Sequence, residues 1–155
     1  MRRAVTALTL LLAAPPAFAV ELTDYIGEWR GTGTYSVTGT SESAGRLTCK
    51  LGITAPQADM ILISGRCAAP EGSRGFKTQV TKTGPDTIAG LELSLKARTS
   101  TGTLNSSGLR LDGVDSDGSF FFQLSSPASG AVEMRSSSST TKKTEAAQVQ
   151  LKRTK

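Results

Sequence analysis

From Trp29 onward, apolar and polar residues alternate in short runs, and a helical repeat is nearly absent. Trp29, Gly31, Gly33, Tyr35 and Val37 fall on one face of an extended segment, with Arg30, Thr32, Thr34 and Ser36 on the other. A period of two marks a strand with one side in the core. Glycine inside a strand weakens it unless the chain bends there or another backbone comes close. Farther on, Leu47, Cys49, Leu51 and Ile53 alternate with Arg46, Thr48 and Lys50. After the Pro-containing residues 55–59, Ile61, Ile63, Gly65 and Cys67 again share one face. An antiparallel hairpin that sets Cys49 opposite Cys67 also sets Leu51 against Gly65, Ile53 against Ile63 and Ala55 against Ile61. Both apolar sets then lie on the same side, and facing residues of a narrow pair bring their Cβ atoms near disulfide reach.

The rest of the chain continues in the same manner. Phe76, Thr78 and Val80 share a face before a turn at residues 84–86. The next run is expected to place Ala89, Leu91, Leu93 and Leu95 inward, with Glu92 and Ser94 outward. A Thr/Ser-rich strand leads to an Asn-Ser-Ser-Gly turn at 105–108, and Asp115 to Gly118 form a strong hairpin turn between two further strands. Phe120, Phe122 and Leu124 share one face there, and Phe121 points the other way. A short strand at 130–134 follows Pro127. Residues 136–147 are polar and of low complexity, which predicts a flexible loop. Residues 148–153 can return as a closing strand. Eight to ten short strands joined by tight turns predict an all-β fold, a small antiparallel up-and-down β-barrel, with a β-sandwich as the alternative.

Composition adds compartment and rules out chemistry. Arg2 and Arg3, the apolar run Ala4 to Ala14 and the small residues Ala17-Phe18-Ala19 have the form of a cleaved leader, residues 1–19. That apolar run is about half the length needed to span a bilayer, so no transmembrane segment is expected. The mature chain then starts at Val20, and residues 20–155 make one domain in a periplasmic or secreted setting. In an oxidising compartment Cys49 and Cys67 read as one disulfide rather than a metal or redox site. Arg2 and Arg3 account for two of the +5 formal charges. From Arg135 onward, Arg135, Lys142, Lys143, Lys152, Arg153 and Lys155 stand against Glu145 alone, which reads as a solvated and partly loose basic segment, with contact to an acidic surface such as lipid headgroups or lipopolysaccharide as the alternative.

The chain has no histidine, so His-based triads, imidazole-held zinc or haem and a histidine base are excluded. Ser139-Thr140-Thr141-Lys142 and Lys82-Thr83-Gly84 mimic motifs of penicillin-interacting serine enzymes, but their order is reversed and the Ser sits in a low-complexity run. Asp112, Asp115 and Asp117 suggest calcium, but the spacing fits a turn, because the loop ending in Gly118 lacks its bidentate acid. Glu28, Asp86 and Glu92 are the remaining carboxylates to weigh, and nothing in their spacing makes a catalytic pair. Aromatic residues do not interleave with the basic cluster, so nucleic acid is not an expected partner. No metal, cofactor or catalytic residue is expected.

Gly27-Glu28-Trp29, at the head of the first long strand, resembles the Gly-x-Trp signature of calycin-type barrels: lipocalins, avidins and nitrobindin-like domains. Residues 27–35 are especially similar to the first strand of the nitrobindin-like group. The resemblance implies that Trp29 plugs the closed end beneath a basic residue from a late strand, Arg153 or, second, Arg135. That group holds haem through a histidine, which this chain lacks, so haem is not carried over. Gly27-Glu28-Trp29 followed by Cys49 and Cys67 also resembles secreted bacterial metalloprotease inhibitors of the calycin type. Those thread an N-terminal peptide into the protease, and here only Val20 to Tyr25 is available for that. The expected function is therefore an exported, non-catalytic binding protein holding a small apolar or amphipathic ligand. Its lining would be Trp29, Gly31, Gly33, Tyr35, Leu51, Ile53, Ile63 and Phe120, the two glycines leaving room beside the Trp. The alternative is an envelope interaction protein or protease inhibitor acting through loops or the basic C-terminal segment.

Overall fold

The computed structural model describes residues 19–95 and 97–155; the leader expected over residues 1–19 lies, but for Ala19, outside them. A single turn of 3₁₀ helix (Leu22–Tyr25) precedes ten strands. They are β1 (Gly27–Gly39), β2 (Ser43–Gln57), β3 (Met60–Ala69), β4 (Gly72–Lys82) and β5 (Thr87–Glu92) in the first half. The second half holds β6 (Thr99–Asn105), β7 (Gly108–Val114), β8 (Gly118–Ser125), β9 (Ala131–Thr140) and β10 (Lys143–Arg153). Each pairs antiparallel with the next, and β10 returns to pair with β1, so the sheet closes into an up-and-down barrel rather than a sandwich. Closure leaves no exposed sheet edge among the described residues.

The β2–β3 register matches the sequence pattern: Cys49 faces Cys67, Leu51 faces Gly65 and Ile53 faces Ile63. The disulfide joins Cys49 and Cys67, whose Cα atoms are 4.1 Å apart. The expected pairing of Ala55 with Ile61 does not form, because a bulge between Thr54 and Gln57 shifts the register near the turn.

Two other expectations are corrected. Val80 faces Gly90 and Thr78 faces Glu92, so Ile88, Gly90 and Glu92 point into the barrel while Ala89 and Leu91 point out. The strand ends at Glu92, which leaves Leu93 and Leu95 exposed in the β5–β6 loop. Burial of Ile88 decides this register, with Gly90 leaving room for the Leu111 side chain. The polar segment 136–147 is not a loop: apart from Thr141 and Lys142 at the turn, it is paired strand in β9 and β10. Ser136 and Ser138 face Phe122 and Phe120 across β8, so small residues on one strand admit large rings on the next.

The role of Gly31 and Gly33 also differs from the expected one. A Cβ on Gly31 would lie 1.7 Å from the carbonyl oxygen of Gln150, and one on Gly33 would lie 1.9 Å from that of Gln148. These glycines let the β10 backbone close against β1; they do not open space beside Trp29.

Candidate functional site

Strand polarity gives the barrel a packed end and an open end. Trp29, Leu51, Ile53, Ile61, Ile63, Leu124, Val149 and Leu151 fill the packed end, with Leu22 and Tyr25 of the 3₁₀ turn folded under it. The Trp29 indole donates to the carbonyl of Tyr25 at 2.8 Å. Arg153 lies over the ring at 4.6 Å and donates to the carbonyl of Asp24, the arrangement that the first-strand resemblance implies. Arg135, the second candidate, instead faces outward and pairs with Glu133.

Above this base the barrel encloses a cavity of about 640 Å³ that opens at the other end. Its floor is apolar, built from Leu47, Leu111, Met134, Phe76 and Phe122. The Phe76 and Phe122 rings meet with centroids 5.8 Å apart, inside the range of favourable ring contacts. Phe120 stands higher on the same wall, its ring seated over Gly113 where a Cβ would intrude. Ser136 and Ser138, the cross-strand neighbours of Phe122 and Phe120, carry the wall on toward Ala147 of β10.

The mouth carries charged side chains, and those that line the cavity have partners. Glu92 accepts a hydrogen bond from Arg98 at 2.7 Å, and the same guanidinium stacks on Phe120 at 4.2 Å and reaches Asp115 at 3.7 Å. The Asp115 carboxylate also accepts the N–H groups of Asp117 and Gly118, chiefly the first of these, and they hold it below the usual carboxylate range. Glu145 accepts from Lys143 at 2.6 Å and Arg74 at 3.1 Å; the Lys143 bond is the larger cause of its lowered pKa. Tyr35 donates to Glu71, which raises the phenol and lowers the carboxyl. The mouth is therefore charged and largely ion-paired, with hydroxyls beneath it and apolar surface below them.

Of the residues expected to line a ligand site, Tyr35 and Phe120 line this cavity. Trp29, Leu51, Ile53 and Ile63 lie in the packed base beneath it, and Gly31 and Gly33 sit where β10 presses on β1. Sequence reasoning missed Glu92, Arg98, Ser136, Ser138 and Glu145. The serines carried no such signal, because residues 136–139 are all serine and only pairing with Phe122 and Phe120 sets Ser136 and Ser138 inward. Glu92 was hidden by the leucines around it.

The other candidates are placed as follows. Phe121 points outward beneath the Arg110 guanidinium, 4.4 Å from its ring, and Asp112 grips that guanidinium at 2.7 and 2.8 Å. Lys82 lies at the packed end and binds Glu21 at 2.7 Å, far from Ser139 and Lys142 at the mouth. The basic C-terminal residues are not one surface: Lys142 and Lys143 sit at the mouth, Arg153 closes the base, and Lys152 faces out beside Arg30.

No family model matches the chain, and no curated protein matches its sequence. Among solved structures it is similar to an S-type phycobiliprotein lyase from Guillardia theta, with a TM-score of 0.63 at 12% identity over 86% of this chain and 90% of that one. At that identity the likeness concerns the fold alone. A redesigned β-barrel aligns with a TM-score of 0.38 at 17% identity, over 84% of this chain and 95% of its own. A protein of unknown function from the DUF3598 family of Nostoc punctiforme gives 0.38 at 16% identity, over 92% of this chain and 53% of its own.

Proposed function

We propose that the chain is an exported, non-catalytic binding protein of the calycin type that holds a small amphipathic ligand in the open half of its barrel. The observation that carries this is the cavity of about 640 Å³, with its apolar floor, hydroxyl wall and ion-paired mouth. Such a volume suits a molecule of a few hundred daltons, and apolar lining with a few placed polar groups is the usual make-up of a ligand site. The apolar part would rest among Phe76, Phe122 and Met134, and the polar part would meet Ser136, Ser138 and the mouth. Of the carboxylates that line the cavity, Glu92 and Glu145 are each held by a cation and Glu71 by the Tyr35 hydroxyl, which favours binding over proton transfer. The inhibitor alternative has less support, because Leu22 and Tyr25 of the N-terminal segment are buried under the barrel and Glu21 is tied to Lys82.

Native mass spectrometry of the protein from its own host compartment, set beside the denatured mass, tests this reading. The expected result is an added native mass of a few hundred daltons, lost on denaturation, with the chain starting at Val20. A bare native mass, together with no uptake of neutral amphipathic probes, would sink the ligand reading.

A further inference from the structure

The outside of the barrel carries a feature unrelated to the cavity. Lys152 faces Arg30 across β10 and β1, Arg30 faces Lys50 across β1 and β2, and Lys50 faces Arg66 across β2 and β3. Facing residues point to the same side of a sheet. Their strand neighbours Leu51, Cys49 and Leu151 point inward, so these four cations form one row on the outer wall. All four are exposed. Strand spacing puts the row at about 14 Å end to end. Each neighbour therefore lies within the screening length of about 8 Å at physiological salt.

Like charges set directly opposite one another destabilise a sheet. Acid partners commonly relieve such repulsion, and here they do not. Among the described residues, the side chains of Arg30, Lys50 and Lys152 make no hydrogen bond or ion pair, and Arg66 bonds only the Ser73 hydroxyl, at 3.1 and 3.3 Å. Arg46 and Lys77 add cations on the same wall, and Glu28 is the carboxylate at its lower edge. Glu133, beyond Lys152, is taken up by Arg135, Gln148 and Gln150. Directly above the row stand the short Thr32, Thr48 and Ala68 and, over Lys152, the uncharged Gln150, so neither an acid nor a ring keeps a broad partner away.

We infer that the row Lys152, Arg30, Lys50 and Arg66 is an attachment surface for an anionic, phosphate-bearing lipid bilayer. A lipid surface fits better than a nucleic acid on two counts. No aromatic side chain stands among the outward positions of β10, β1, β2, β3 and β4 to stack on bases, as single-strand binders require. The wall is also convex, with no helix or ribbon projecting to enter a duplex groove. Long flexible Lys and Arg side chains level the modest curvature and meet a plane of headgroups together.

The test is sedimentation of the purified protein with vesicles of phosphatidylcholine containing one-third phosphatidylglycerol, and with pure phosphatidylcholine vesicles. The expected result is binding to the anionic vesicles alone, released by raised salt. The double variant Arg30→Gln/Lys50→Gln should bind about thirty-fold more weakly, roughly fivefold for each charge removed. The double variant Lys142→Gln/Lys143→Gln removes the same net charge at the mouth and should bind nearly as well as the parent. An unchanged or raised thermal midpoint for Arg30→Gln/Lys50→Gln shows that the variant is folded and the repulsion relieved. Absence of anionic-vesicle binding overturns the inference, and so does an equal loss in both double variants, which would mean net charge rather than the row. Binding of a short DNA duplex with the same sensitivity to Arg30 and Lys50, and no vesicle binding, would overturn the lipid assignment in favour of a polyphosphate strand. None of these outcomes depends on whether the cavity is occupied.

Discussion

At the scale of single residues, the packed end turns on polar atoms buried with their partners. Trp29 is fully buried, so its indole N–H must find an acceptor or cost a substantial desolvation penalty, and the Tyr25 carbonyl supplies it. Arg153 then closes the base by stacking on the same ring. Tyr25 is fully buried as well, and that burial pushes its phenol well above the ordinary tyrosine range. A folded-state pKa raised above the unfolded value means that stability is complete below about pH 10 and falls as the unfolded chain ionises above it. Stability should therefore drop by roughly 1.4 kcal/mol per pH unit above pH 10 from this one group. Tyr25→Phe should lose that extra alkaline slope while keeping a near-constant offset from the parent below about pH 9. Urea unfolding at several pH values measures it; equal slopes in both proteins would remove Tyr25 from the account.

At the scale of elements, legibility depended on how many independent patterns met in one place. In the β2–β3 hairpin the apolar alternation and the two cysteines each specify a register, and the registers agree, so the pairing could be read without a structure. In β5 a single pattern stood alone. The leucines of residues 91–95 suggested an inner face, but Val80 opposite Gly90 and the burial of Ile88 set the opposite one. In β9 the serines read as loop because composition hides periodicity; only their pairing with Phe120 and Phe122 gives them an inner face. The cavity was thus only half legible, with Tyr35 and Phe120 found and the polar wall missed. The hairpin also carries a quantitative expectation. The disulfide spans 18 residues, a loop whose closure entropy in the unfolded chain corresponds to about 3 kcal/mol. Replacing both cysteines by alanine should lower stability by about that amount, read as a lower urea midpoint with the barrel still formed. A loss under about 1 kcal/mol would mean that the unfolded chain is already held together near this hairpin.

For the whole molecule, one barrel has a packed end and an open end. The base is filled with buried apolar side chains, which give the open half above it a packed floor. Keeping the upper half open forgoes the burial that larger side chains there would contribute. Ser136 shows the trade most directly, since it sits between Phe122 and Ala147 on the cavity wall. Ser136→Leu would place an apolar side chain against the Phe76 and Phe122 rings and fill part of the space. Its expected effect on the ligand-free protein is a gain of about 0.5–2 kcal/mol, the range typical of cavity filling. The same substitution should weaken uptake of a neutral amphipath such as N-phenylnaphthylamine by at least tenfold, and with it the rise in thermal midpoint that a saturating ligand gives. Thermal unfolding with and without the fluorophore reads both effects in one titration. Greater stability with lost uptake places the ligand against the serine wall. Greater stability with full uptake would instead put the probe elsewhere on the molecule, and the cavity would then be an unfilled core rather than a receptor.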